Sequence, residues 1–572
     1  MRSWWVTTLL AVATVLAGCA TLPVSGPVVL EPRRSMVPGA GGVAIEPDPP
    51  AEGASPALIV EGFLHAMATY QPGYAAARRY LTPEAAAAWR PEASVTVYAD
   101  AAPPTATPDA PVTVIGRVGP DGAYAATPAE LRTLDFGLVQ TSAGQWRIST
   151  PPAGIWISRY LFATSYVRTD VFYLDGPGRR LVPDPRYVAQ GNRTPGAVLS
   201  LLLSGPSAWL APGVTSLVPE QAALAGPVSG GPTVLVPLTS APASPEGRML
   251  FAAQVAASLR QLPGIDGFRL VVDGVPVSVE GQRADGTVPL SVADQLDPVN
   301  SLSTQLFALQ KNHLVRVSDA STEAPRVVAG DFGTKTWEAS ALAVSVDGLE
   351  AAMVVRTAAG QDVVRGPVDG AGAHVVLSHP ASLLRPQFSA TGDLWVMTSN
   401  GQLTRVEKGR AVPVPIPSLS GRSVVAFRIS PDGGRMAVVV ETNGQRELVL
   451  LRAEPSGEWS GWQKVPLRRD SGSVDPVQDV GWSSGTSLTV LVGRDRPAVV
   501  EVDIAGVSVR EVGLADTWSA VTLATSPRSA SRKAVGDSTG VVWLYQGGFR
   551  WVTPQVPGAG DAPALRLPAY PG

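Results

Sequence analysis

Cysteine is almost missing from this chain: there is one in 572 residues, at position 19. A single thiol excludes a disulfide framework, a thiolate zinc site and an iron–sulfur cluster. Histidine is scarce as well, with His65, His313, His374 and His379 making up the full set. Imidazole chemistry therefore has few places to occur, and no metal site is expected. Basic residues number 45, of which only five are Lys, against 48 acidic ones, for a net charge of −3. That leaves no basic excess to neutralise phosphates, so no nucleic-acid partner is expected. The apolar run from Trp4 to Leu16 covers about thirteen residues, fewer than the ~20 that span a bilayer, and no later apolar stretch reaches spanning length. No G-x-S-x-G, H-E-x-x-H, phosphate-loop or S-x-x-K motif stands in its required context, so no catalytic residues and no cofactor are expected. What the chain has in quantity is 58 Gly and 53 Pro, the composition of many turns and linkers in several domains.

Residues 1–18 read as a secretory signal: Arg2, an apolar centre, then the small residues Ala17 and Gly18 before Cys19. Leu16-Ala17-Gly18-Cys19 resembles the lipobox of bacterial lipoproteins. That resemblance implies cleavage between Gly18 and Cys19 and a mature Cys19 carrying S-diacylglycerol and an N-acyl group. The lipid bilayer is then a partner, and the chain lies on the extracytoplasmic face of the cell membrane. The plainer alternative is an ordinary signal with an incidental cysteine. Residues 19–55 are Pro- and Gly-rich with no sustained periodicity, which predicts an extended tether reaching on the order of 100 Å.

The body divides into three segments, so the fold class expected is multidomain. Residues 56–160 open with Ser55-Pro56 and apolar residues at helical spacing (Ile59, Val60, Phe63, Leu64, Met67), then change to strand-like alternation. This predicts a small α+β domain, and the order of elements resembles NTF2-like domains. Residues 165–290 interleave strands with helices opening at Pro195 and Pro245, which predicts an α/β domain. Within it, Leu199 to Pro206, Leu217-Val218-Pro219, Thr233 to Val236 and Val271 to Gly274 resemble the GerMN domain of sporulation and germination proteins, which implies a fold and no site residues.

Residues 300–560 repeat one plan of strand, Ser-containing turn and strand. Ser345, Ser389, Ser430, Ser483 and Ser526 lie 44, 41, 53 and 43 residues apart, and a further unit covers Gln305 to Val328. A period near 40–45 predicts an all-β propeller of about six blades, with a twisted sandwich as the alternative. The Ser430-Pro431-Asp432-Gly433 turn resembles those of TolB-like propellers. Asp347, Asp393 and Asp432 are accounted for by turn formation, since each stands alone beside Gly rather than in a set of calcium donors. The long third interval reads as an inserted loop from Pro455 to Pro476. It carries Trp459 and Trp462 near Arg468 and Arg469, residue types enriched in binding hot spots, and these four are the candidate partner-binding residues.

Signal, tether, α+β domain, GerMN-like domain and propeller, in that order, resemble the actinobacterial lipoprotein LpqB family over essentially the whole mature chain. The resemblance implies a non-enzymatic envelope lipoprotein. Its implied partner is the extracellular domain of an MtrB-like sensor histidine kinase, part of an MtrAB-type two-component system in envelope homeostasis. The alternatives are a receptor for a cell-wall glycan or peptide and, more remotely, an envelope hydrolase.

Overall fold

The computed structural model describes residues 47–100, 103–105, 111–300, 302–318, 323–379, 381–467, 476–493, 496–514, 519–554 and 564–572. The signal segment, the lipobox and most of the tether lie outside the described residues. Residues 47–572 form one compact unit.

In the first domain Ser55 caps the helix Pro56–Ala68, its Oγ accepting the Leu58 N–H at 3.4 Å. The helix buries Ile59, Val60, Phe63 and Met67, the residues whose spacing marked an amphipathic face. Its partner is a four-stranded sheet in the order Tyr124–Arg132, Val112–Val118, Val95–Tyr98, Ile155–Ser158, whose last two strands run parallel. Part of the stretch read as tether is fixed to this domain. The Tyr80 hydroxyl donates to the Asp48 carbonyl at 2.9 Å, and the Gly53 N–H donates to Gln145 Oε1 at 2.9 Å.

The second domain is α/β. Strand Tyr166–Asp175 pairs antiparallel with Leu181–Ala189, and Thr233–Leu238 lies parallel to Gly267–Val272. Asp273 and Gly274 take the two positive φ values, 51° and 77°, that a two-residue hairpin turn of this kind requires. Helix Pro245–Leu259 carries buried polar residues for a specific reason: they satisfy the open edge of the first strand. Gln254 Nε2 donates to the Phe172 carbonyl at 2.9 Å, and the Phe172 N–H donates to Ser258 Oγ at 3.2 Å. Gln261, just past the helix, accepts the Asp170 N–H at 3.0 Å.

The third domain is a propeller of six four-stranded sheets. Five are built from consecutive strands, beginning at Ala339, Gln387, Ser423, Val477 and Ala520. The remaining sheet is completed from the far end of the chain. Strand Leu565–Ala569 pairs antiparallel with Leu306–Gln310 and so closes the ring. This closing strand lies past residue 560, and the propeller therefore runs to Ala569. Closure removes the two open sheet edges that a linear array would leave. The repeated serines sit where the first strand of a blade turns into the second. Ser345 Oγ donates to Asp347 Oδ1 at 2.6 Å and accepts the Glu350 N–H at 2.8 Å. Ser430 repeats this with Asp432 Oδ1 at 2.9 Å and the Arg435 N–H at 2.9 Å. These two turns organise their own backbone, so Ser and Asp stand there without a ligand to hold.

Candidate functional site

The two faces of the propeller are distinct. The turns that follow each innermost strand, together with those joining third and fourth strands, form the face on which the α/β domain sits. Arg435, 1 % exposed, donates from Nη2 to the Pro183 carbonyl at 2.7 Å, and Arg452 donates from Nη1 to the Trp209 carbonyl at 2.8 Å. Their guanidinium carbons stand 6.0 and 5.9 Å from the Trp209 ring centre, so the indole is held by two cations. Thr486 Oγ1 donates to Asp170 Oδ2 at 3.1 Å, and Arg168 Nη1 donates to Ser487 Oγ at 2.8 Å. The approach is close enough that a Cβ at Gly213 would fall 2.4 Å from the Ala453 carbonyl oxygen. Asp432 is buried in this contact, and burial pushes its carboxyl above the usual carboxylate range, with Arg435 opposing. The first domain reaches the same face through Ala505 and Val507, which pack into its core. It is tied to the second domain by the fully buried Arg186, which pairs with Asp121 at 3.0 Å and Asp184 at 2.7 Å.

The opposite mouth of the central channel is different. Here the innermost strands begin, and a cavity of about 290 Å³ is lined only by propeller residues. Arg385 and Arg428 reach in from adjacent blades toward Asp479 on a third, at 3.5 and 3.8 Å. Arg385 also donates to the Leu523 carbonyl at 2.7 Å, and Asp479 accepts the Leu523 and Val480 N–H groups at 2.8 and 2.9 Å. Exposed Arg356 adds a third guanidinium at the rim. Sequence reasoning did not single out these residues. A signal existed in the repeat: Arg385 and Asp479 each stand four residues before a repeat serine, Ser389 and Ser483, Asp479 within an innermost strand and Arg385 two residues before one.

The candidate loop from Pro455 to Pro476 needs correction. Residues Trp459–Lys464 form the outer strand of the blade that begins at Ser423 rather than an insertion. Trp459 is 4 % exposed and meets Trp395 edge to face with ring centres 6.1 Å apart. Its indole fills the seam between two blades, so it has no face to offer a partner. Trp462 is half-buried with the Arg422 guanidinium 4.7 Å above its ring. Arg468 and Arg469 lie outside the described residues, as do Gly18 and Cys19. His374 and His379 each engage neighbouring backbone: His374 Nδ1 is 2.9 Å from the Gly372 carbonyl oxygen, and His379 Nδ1 accepts the Ala381 N–H at 3.0 Å. Among the described residues no three His, Cys, Asp or Glu side chains gather as metal ligands, and no helix is long and apolar enough to cross a membrane.

A closed six-bladed propeller carrying an α/β domain and an α+β domain on one face defines a multidomain class that the family comparisons match segment by segment. Residues 49–163 match the family described as lipoprotein LpqB, N-terminal domain; residues 170–278 match the sporulation and spore germination family; residues 312–571 match the lipoprotein LpqB beta-propeller domain. Lipoprotein LpqB of Cutibacterium acnes is 30 % identical over 577 residues, covering 95 % of this chain and 96 % of its own. Lipoprotein LpqB of Streptomyces avermitilis is 31 % identical, covering 86 % of each chain. Among solved structures, TolB from Acinetobacter baumannii is 15 % identical, with a TM-score of 0.35, over 55 % of this chain and 85 % of that one. The chain belongs to the LpqB lipoprotein family.

Proposed function

We propose that this protein is a non-enzymatic accessory lipoprotein, anchored through acylated Cys19 at the extracytoplasmic face of the membrane. It modulates the sensor kinase of an MtrAB-type two-component system. The observation that carries the reading is the asymmetry of the propeller: one face is taken up by the chain's own domains, and the other mouth is lined by propeller residues alone. A body built this way presents a surface. The lipid supplies confinement to the plane of the kinase, which raises the effective concentration of a contact too weak to act from solution. Two or three acyl chains are needed for stable retention, since one anchors only marginally.

Membrane fractionation tests the anchor. Cys19→Ala should move the protein out of the membrane fraction and abolish its effect on kinase output while its thermal unfolding stays unchanged. Retention of the variant in membranes would contradict the reading. The partner is tested with the purified extracytoplasmic sensor domain of the kinase, which should co-purify with the full chain; absence of binding at tens of micromolar would overturn that part.

A further inference from the structure

We infer that the open channel mouth is a carboxylate-recognition site that takes an acidic peptide segment of a partner protein end-on. The cavity wall holds three arginines, Arg356, Arg385 and Arg428, against one acid, Asp479, and no other charged side chain. Two of the guanidiniums are largely withdrawn from water, with side-chain exposures of 18 and 9 %. Positive charge at the base of a low-dielectric cleft focuses the field and acts on anions far more strongly than the same charge at an open surface. The planar guanidinium fork fits a carboxylate with paired, charge-assisted hydrogen bonds.

The shape of the channel narrows the choice of ligand. At the opposite mouth, residues 570–572 fold in among the inner strands, the Gly572 N–H lying 3.2 Å from the Val344 carbonyl oxygen, and free space there falls to about 60 Å³. This narrowing disfavours threading of a polymer and leaves the open side suited to a chain end or loop tip. Asp479 disfavours a doubly charged phosphate beside it and leaves one net positive charge between itself and Arg385 and Arg428, the balance one carboxylate fills. This inference names the chemistry of the partner proposed above and rests on that reading for its biological meaning, but not for its test.

The full chain carrying Cys19→Ala is titrated with a fluorescent hexaglutamate peptide at low and high salt, with hexaglutamine as the neutral control. Hexaglutamate should bind, hexaglutamine should not, and binding should weaken with salt. Arg356→Glu, at an exposed position that leaves the fold alone, should weaken hexaglutamate binding by about fivefold or more. Asp479→Asn should tighten it. Equal affinity for both peptides, indifference to both variants, or preference for inorganic phosphate or for purified wall phosphodiester polymer over hexaglutamate would overturn the inference. If Arg356→Glu loses hexaglutamate but still binds the kinase sensor domain with unchanged affinity, the mouth is not the kinase contact and the accessory role stands without it.

Discussion

Arginine does opposite work on the two faces of this propeller. On the docked face Arg435 and Arg452 stand about 6 Å from the Trp209 ring and donate to carbonyls of the neighbouring domain, so both guanidiniums are enclosed in the interface. At the open mouth Arg385 and Arg428 share one carboxylate and line an accessible cavity, so part of their charge is left over. The residue type is the same; what differs is whether the chain itself supplies the partner. A guanidinium within a packed interface holds domains together, and a guanidinium at the base of an unfilled cavity is available to something else.

That contrast can be broken most sharply on the docked side. Arg435→Ala removes the cation beside buried Asp432 and should cost about 3–5 kcal/mol, read by denaturant unfolding, with hydrogen exchange rising first in strand Leu181–Ala189. A loss below about 1 kcal/mol would mean the interface is looser than described. Gly213→Ala forces a methyl against the Ala453 carbonyl and should cost about 1–3 kcal/mol in the same assay.

Two smaller effects sharpen the comparison. Burial raises the Asp432 carboxyl, so the folded chain keeps that proton at a pH where the unfolded chain has released it. The group's contribution to stability therefore falls as pH rises from about 4, the unfolded value, through the raised folded value, and is level above it. Asp432→Asn should abolish this share of the decline, measured by unfolding across pH; the shares of Asp170 and Asp479, raised in the same direction, remain. A steeper decline in the variant would reverse the assignment. On the open side, Arg356→Gln should change stability by no more than about 0.5 kcal/mol, because this exposed side chain supports no packing.

Local features of the fold were legible in the sequence. Ser55 marks a helix start because its side chain accepts an N–H group that the first helical turn leaves unpaired. The spacing of Ser345, Ser389, Ser430, Ser483 and Ser526 revealed the blades because each falls where an innermost strand ends, and at Ser345 and Ser430 the turn chemistry is local. Contacts between distant segments were not legible. Nothing near Trp209 announces Arg435 and Arg452, more than 200 residues away, since docking depends on which turns the ring brings to one face. The closing strand Leu565–Ala569 was missed for a related reason: it joins the repeat only by pairing with Leu306–Gln310 at the other end of the domain. Trp459 misled because Trp near Arg in a lengthened interval looks like a binding loop, while its period-two strand environment is short and half polar. The open mouth was overlooked because Arg385, Arg428 and Asp479 come from three blades, and only closure of the ring brings them within 4 Å of one another's charges.

The most direct test of this account places a photo-reactive residue at one of two exposed positions in the full chain in its own cells. One is 356, at the rim of the arginine mouth; the other is 549, on the side of the ring that carries the domain contacts. The account predicts a crosslink to the extracytoplasmic part of the sensor kinase from position 356 and none from 549. A crosslink to that kinase from 549 alone, or from neither position, would contradict it.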